Sequence, residues 1–212
     1  MAIITKIEEQ KNKKRVNIFV DDAFFCGLNK ETALIFKLKV GKEVDENVLK
    51  EAVFESEVKS AFEKSADYLS VRPHSKRELF NKLLKKGFEK QAIEKAIKKL
   101  EEYHFIDDEI YAKQVIEQNK KYSKRMLELK LREKGISSDI IQENFSDSDD
   151  NLEFEICKKQ VEKLVKSKDM TKEGAMQKLF AALARKGFAF YVIKKATKAV
   201  INEDFEENDF SD

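Results

Sequence analysis

The chain has 212 residues, 39% of them charged, with six glycines, one proline and a formal net charge of +2. That is well above the roughly 25% charge of an average soluble protein, and with so few helix breakers it points to amphipathic helices. No apolar run approaches the ~18–20 residues of a membrane span, and MAIITKIEEQKNKK turns polar too early for a secretory signal. Cys26 and Cys157 match no metal or redox spacing, which fits free thiols in a reducing cytosol.

In chain order, the N-terminal stretch carries a period of two. Ile3, Thr5 and Ile7 alternate with charged residues, and Val16, Ile18 and Val20 alternate after the KNKK turn. This reads as strands, with FFCGL as a candidate third. Asn29 through Leu38 reads as a short helix ending near Gly41. Residues 1–44 are therefore expected to form a small β-extension with a short helix.

From Asp45 the pattern changes to helical spacing. A first helix is expected from Asp45 or Val48 to Leu69, with Val58, Ala61, Phe62, Ala66 and Leu69 on one stripe. The only proline, Pro73, follows it, and proline pushes its predecessor out of the helical region. Ser75 with Glu78 three residues later forms a capping box that starts the next helix. Arg72-Pro73-His74 is thus a corner.

A repeat then becomes visible. Lys86-Gly87, Lys134-Gly135 and Lys186-Gly187 stand 48 and 52 residues apart. Leu79, Leu127 and Leu179 lie eight residues before each glycine, and Leu83, Leu131 and Leu183 lie four before it. Phe88, Ile136 and Phe188 follow directly, and Ile93, Ile141 and Ile193 sit six beyond. Leucines four apart share one helix face. Glycine can take the left-handed conformation that ends a helix, and lysine suits the negative end of the helix dipole. Each unit is therefore helix, glycine turn, helix.

A further helix precedes each pair. In the second unit Asp107 and Asp108 open it, before Ile110, Tyr111, Val115 and Ile116. In the third, Asp150 opens it with Glu153 as box partner, before Phe154, Ile156, Cys157, Val161, Leu164 and Val165. The expected fold is mainly α: three tandem three-helix repeats forming a curved array (45–103, 104–148, 149–203), with the β-extension before them. Residues 204–212 complete an acidic tail. Six acids and no base lie in EDFEENDFSD; without that stretch 42 basic residues face 34 acidic ones, so the body carries +8.

No catalytic constellation is legible. There is no phosphate-binding glycine loop and no His-Glu-x-x-His. His74 and His104 have no partners for a metal site, and Asp107 and Asp108 fit helix capping better than acid–base work. No cofactor, metal or enzymatic activity is expected. Basic residues instead cluster at the corners. Arg72, His74, Lys76 and Arg77 mark the first, and Lys120, Lys121, Lys124 and Arg125 the second; Lys168 and Lys172 lie near the third, with Arg185 and Lys186 at its glycine turn. Arg72, Lys76, Arg77, Lys121, Lys124, Arg125, Arg185 and Lys186 are the candidate partner-binding residues. Pro73, Ser75, Glu78, Gly87, Asp107, Asp108, Gly135 and Gly187 are the structural motif.

YLSVRPHSKRELFNKLLKKGF (68–88), FIDDEIYAK (105–113) and LKLREKGI (129–136) resemble the signature of the RecX family, bacterial regulators of the recombinase RecA. The resemblance spans residues 57–203 or so, and the N-terminal segment is similar to the extension of longer members. The third unit departs most, because KEGAMQKLFAALARKGF lacks Arg-Pro. The resemblance implies a protein without catalytic residues that binds the RecA filament and lowers its ATPase and strand-exchange activities. The chain's own residues add a monomer, since no heptad seam is present, a cytoplasmic location, from its free thiols, and weak, non-specific DNA binding through its basic corners. The alternatives are a helix-turn-helix-like DNA-binding protein and a generic helical scaffold.

Overall fold

The computed structural model describes residues 2–146, 150–167 and 174–201. The acidic tail, Lys168, Lys172 and the Asp150 side chain lie outside the described residues. The chain forms two compact units, Met1–Asp107 and Asp108–Asp212.

The first unit begins with an antiparallel sheet. Its strands are β1 (Ala2–Glu9), β2 (Arg15–Val20), β3 (Ala23–Asn29) and β4 (Glu43–Val44), in the order β3-β2-β1-β4. The three expected strands are present, and β4 is an addition. The inward phase of β1 differs from the simple alternation. Ile4 is fully buried whereas Ile3 is 42% exposed, because a bulge between Ile4 and Lys6 shifts the pleat by one residue. Ile4 and Ile7 therefore both reach the core with Val16, Ile18 and Leu28.

Helix α1 (Lys30–Ile35) is shorter than expected. Its end is made by Lys37, in the left-handed region at φ 50°, with Leu38 N–H donating to Ala33 O at 2.9 Å. Gly41 belongs instead to the following turn, where its N–H bonds Ile4 O at 2.8 Å.

Helix α2 (Glu46–Val71) is capped by Asp45, whose side chain accepts from Asn47 N–H. It serves two cores. Leu49 and Ala52 pack on the sheet, while Val58 and Ala61 pack against α3 (Lys76–Leu84) and α4 (Lys90–Glu102). A polar latch joins sheet to helix: buried Asn29 donates its backbone N–H to Ser56 Oγ at 2.7 Å and its amide to Ser56 O at 3.1 Å. On the inner stripe Ser65, not Ala66, is buried. The 3.6-residue turn carries the face from Ala61 to Ser65, whose hydroxyl donates back to Ala61 O at 2.8 Å.

The second unit holds α5 (Asp108–Gln118), α6 (Lys124–Glu133), α7 (Ser138–Phe145), α8 (Asp150–Ser167), α9 (Ala175–Ala184) and α10 (Phe190–Ile201). Tyr111, Leu127, Leu131, Ile136 and Ile141 make one core; Cys157, Val161, Leu179, Leu183, Phe188 and Ile193 make another. Ile110, expected on the inner stripe of α5, is 56% exposed, and Tyr111 and Ala112 take the inward places.

The three glycine turns are one motif repeated. Gly87, Gly135 and Gly187 have φ of 89°, 79° and 91°. In each, the residue after glycine bonds back to the inner leucine: Phe88 to Leu83 at 3.3 Å, Ile136 to Leu131 at 3.1 Å, Phe188 to Leu183 at 3.4 Å. Glycine N–H bonds the carbonyl three residues earlier, to Leu84, Arg132 and Ala184. These paired bonds satisfy carbonyls that a helix end leaves open. α4 ends in the same way with histidine in place of glycine: His104 has φ 56°, and Phe105 N–H reaches Leu100 O at 2.9 Å.

Candidate partner-binding surface

At the first corner, Arg72 is extended, at φ −162° and ψ 160°, as the residue before Pro73 must be. Ser75 then accepts from Glu78 N–H at 3.1 Å, and Glu78 Oε2 accepts from Ser75 N–H at 3.4 Å, completing the capping box. Arg72 braces this turn, with one guanidinium nitrogen 2.9 Å from Pro73 O and the other 3.3 Å from Glu78 Oε1. His74 is buried beneath it against Tyr68. Its Nδ1 lies 2.8 Å from Arg72 O, so Nδ1 carries the proton and donates, while buried Nε2 has no hydrogen-bond partner among the described residues. Burial pushes the His74 pKa down, against a smaller upward pull from the Arg72 carbonyl.

Lys76 pairs with Glu101 at 2.8 Å, and Arg77 is exposed beside it. Of the expected basic residues here, two are tied into the corner and Arg77 projects outward.

The second corner is built on buried Ser123, whose hydroxyl accepts from Met126 N–H at 3.2 Å. Its own N–H donates to Lys186 O at 3.0 Å, so the glycine turn of α9 docks on the N-terminus of α6. The structure thereby brings Lys121 and Lys186 into one neighbourhood. The Lys186 ammonium donates to Gln160 Oε1 at 2.6 Å. Its pKa is lowered first by burial and then by the positive charges of Lys121 and Lys163.

Lys124 donates to Phe145 O at 3.2 Å and sits over that ring. Arg125 and Arg185 are exposed, with Arg185 Nε donating to Ala181 O at 3.3 Å. Asp107 directly precedes α5, and Asp108 is buried in its first turn.

Sequence reasoning passed over two lysine–tyrosine stacks. Lys82 lies 4.6 Å from the Tyr68 ring centre and Lys130 4.5 Å from that of Tyr122. Both lysines stand five residues before the repeat glycine, so the alignment already held the signal; the third unit has Ala182 there. Lys163 was also passed over, since only folding brings α8 beside Lys121 and Lys186.

The site offers cations, hydrogen-bond donors and aromatic edges. Among the described residues, no group of three or more His, Cys, Asp or Glu side chains could hold a metal ion, and no helix is long and apolar enough to cross a membrane. Burial raises the Cys26 pKa to about 11 and that of Cys157 to about 12, so both thiols stay protonated near neutrality. Such a surface suits binding an acidic partner.

Three family models match the chain: the regulatory protein RecX N-terminal domain at residues 2–45, the RecX first three-helix domain at 61–100 and the second at 107–143. The regulatory protein RecX of Clostridioides difficile is 36% identical over 96% of this chain and 98% of its own length. That of Bacillus pumilus is 35% identical over 99% of this chain and 81% of its own. A crystal structure of regulatory protein RecX superposes with a TM-score of 0.64 at 26% identity, covering 92% of this chain and all of the other. The structure of RecX from Lactobacillus salivarius, at 21% identity and a TM-score of 0.56, shares the fold. With the strands, both corners and the first two glycine turns lying in segments that the family models match, and with relatives aligned over 96–99% of this chain, the chain belongs to the RecX family of regulatory proteins.

Proposed function

We propose that this protein regulates the recombinase RecA by binding its nucleoprotein filament and lowering ATP hydrolysis and strand exchange, without catalysing a reaction itself. The observation that carries this reading is the family membership along almost the full chain. The corners add a physical means. Arg77, Lys121, Arg125 and Arg185 are exposed on helix ends, and repeated units let one molecule touch several protomers of a filament. The protein acts in the cytoplasm as a monomer and needs no cofactor; its affinity for DNA is weak and non-specific, through phosphate contacts alone.

The test is DNA-dependent ATP hydrolysis by RecA. Sub-stoichiometric protein should slow it, because one molecule on a filament affects many protomers. Replacing Arg77, Lys121 and Arg125 with glutamate should weaken inhibition while helix content stays unchanged, since all three are exposed. Charge reversal removes attraction and adds repulsion, so the set should raise the inhibitory concentration at least ~10-fold. Inhibition that requires stoichiometric protein and is relieved by excess DNA would favour a DNA-binding protein instead.

A further inference from the structure

The second unit contains a groove that the corner residues alone do not explain. It has a volume of about 770 Å³ and lies between the α5–α6 corner and α8. Ile116, Tyr122, Leu127, Phe145, Leu152 and Ile156 supply its apolar lining. Lys120, Lys121, Lys124 and Lys159 also line it, against two acids, Glu117 and Glu153, among the described residues. Four cations around an apolar floor call for a ligand that is both acidic and aromatic or aliphatic. Lys186, which donates to the groove residue Gln160, moreover lies within electrostatic reach of both Lys121 and Lys163, a concentration of like charge that an anionic occupant would relieve.

One segment of this chain has that chemistry. EDFEENDFSD, residues 203–212, combines six acids with Phe205 and Phe210 and contains no base. The helix that leads into it, α10, ends at Ile201. Val200, in its last turn, packs into the same core as Ile156, and Ile156 also lines the groove. The tail therefore starts on a helix that shares α8 with the groove. Eleven residues beyond Ile201 reach as far as ~35 Å when extended, several helix diameters. Tethering supplies an effective concentration in the millimolar range, so modest complementarity suffices for occupancy.

We propose that the acidic C-terminal segment docks in this groove of its own chain, its carboxylates on the rim lysines and its phenylalanines on the apolar floor. Docking covers Lys121 and Lys124, so the tail competes with any acidic partner for the same cations. The docking rests on groove and tail alone; only the consequence that it tempers RecA binding rests on the proposed function.

The experiment compares amide NMR spectra of the full chain with those of a full-length Phe205→Ser/Phe210→Ser variant and a full-length variant with the six tail acids made Asn or Gln. Both variants should shift resonances of Ile116–Leu127 and Leu152–Gln160 and leave those of the first unit unchanged. A synthetic EDFEENDFSD peptide should bind the neutralised variant at least ~10-fold more tightly than the wild type, whose groove is already filled. Raising salt should weaken that binding. Shifts confined to residues next to Ile201, or equal peptide affinity for both chains, would overturn the proposal. So would shifts that grow with protein concentration, since the occupant would then be a second copy. If RecA inhibition fails but the groove shifts remain, docking stands and the functional reading falls.

Discussion

Gly87 and Gly187 have nearly the same backbone conformation and very different surroundings. At Gly87, with φ 89°, an added methyl group would meet nothing within 4 Å. At Gly187, with φ 91°, it would lie 2.4 Å from Ser123 Oγ and 2.8 Å from Met126 Cβ. Gly87→Ala should therefore cost only the left-handed conformation of an L-residue, about 1 kcal/mol. Gly187→Ala adds an overpacking cost of roughly 1–3 kcal/mol. It also disturbs the Ser123 cap, itself worth about 1 kcal/mol, and the Ser123 N–H bond to Lys186 O. The total should be about 2–5 kcal/mol, the upper end applying if the cap is lost altogether. Urea unfolding followed by circular dichroism measures both losses, and amide hydrogen exchange locates them: α3 and α4 for the first variant, α6 and α9 for the second. Removing the obstructing hydroxyl with Ser123→Ala should make the double variant less damaged than the sum of its parts. Equal losses at the two glycines, or strict additivity with Ser123→Ala, would refute the docking of the third glycine turn on the second corner.

His74 makes stability depend on pH. Its folded pKa is lowered below 6.5 by burial, so folding favours the neutral ring; its contribution is complete above pH 6.5 and is lost as pH falls from there through the folded value. The urea midpoint should drop between pH 7 and pH 5, and a His74→Gln variant should show a smaller drop; an identical drop would remove His74 as the cause. At His104 the left-handed φ of 56° is carried by a residue with a β-carbon, so His104→Gly should raise stability by about 0.5 kcal/mol, strain relief exceeding the added freedom of the unfolded chain. A thermal midpoint at or below wild type would show that the histidine ring contributes more than its backbone costs.

The repeat was legible in the sequence because its causes are local. A leucine pair four apart, a glycine able to adopt positive φ and a hydrophobic residue just after it define the same two hydrogen bonds in all three units. The Ser75–Glu78 box and the Pro73 corner are local in the same sense, as is the strand character of β1 and β2. The β1 bulge, the two-residue β4 and the left-handed turn at Lys37 were not legible. Each depends on what the neighbouring strand or loop permits, and no side-chain pattern announces it.

The candidate site divides in the same way. Sequence placed cations at helix ends, since N-capping serines and glycine turns mark those ends. It could not say which cations are already engaged. Arg72 and Lys76 are tied to Glu78 and Glu101, and Glu101 lies 25 residues from Lys76 in the chain. Nor could it bring Lys121, Lys163 and Lys186 together, or open an apolar groove beside Lys120 and Lys159, because those residues come from separate helices whose approach is set by packing. Short-range hydrogen bonding and hydrophobic period thus wrote the helices, strands and turns into the chain. Burial across long sequence separations, where the whole core must be satisfied at once, decided which charges were left to meet a partner.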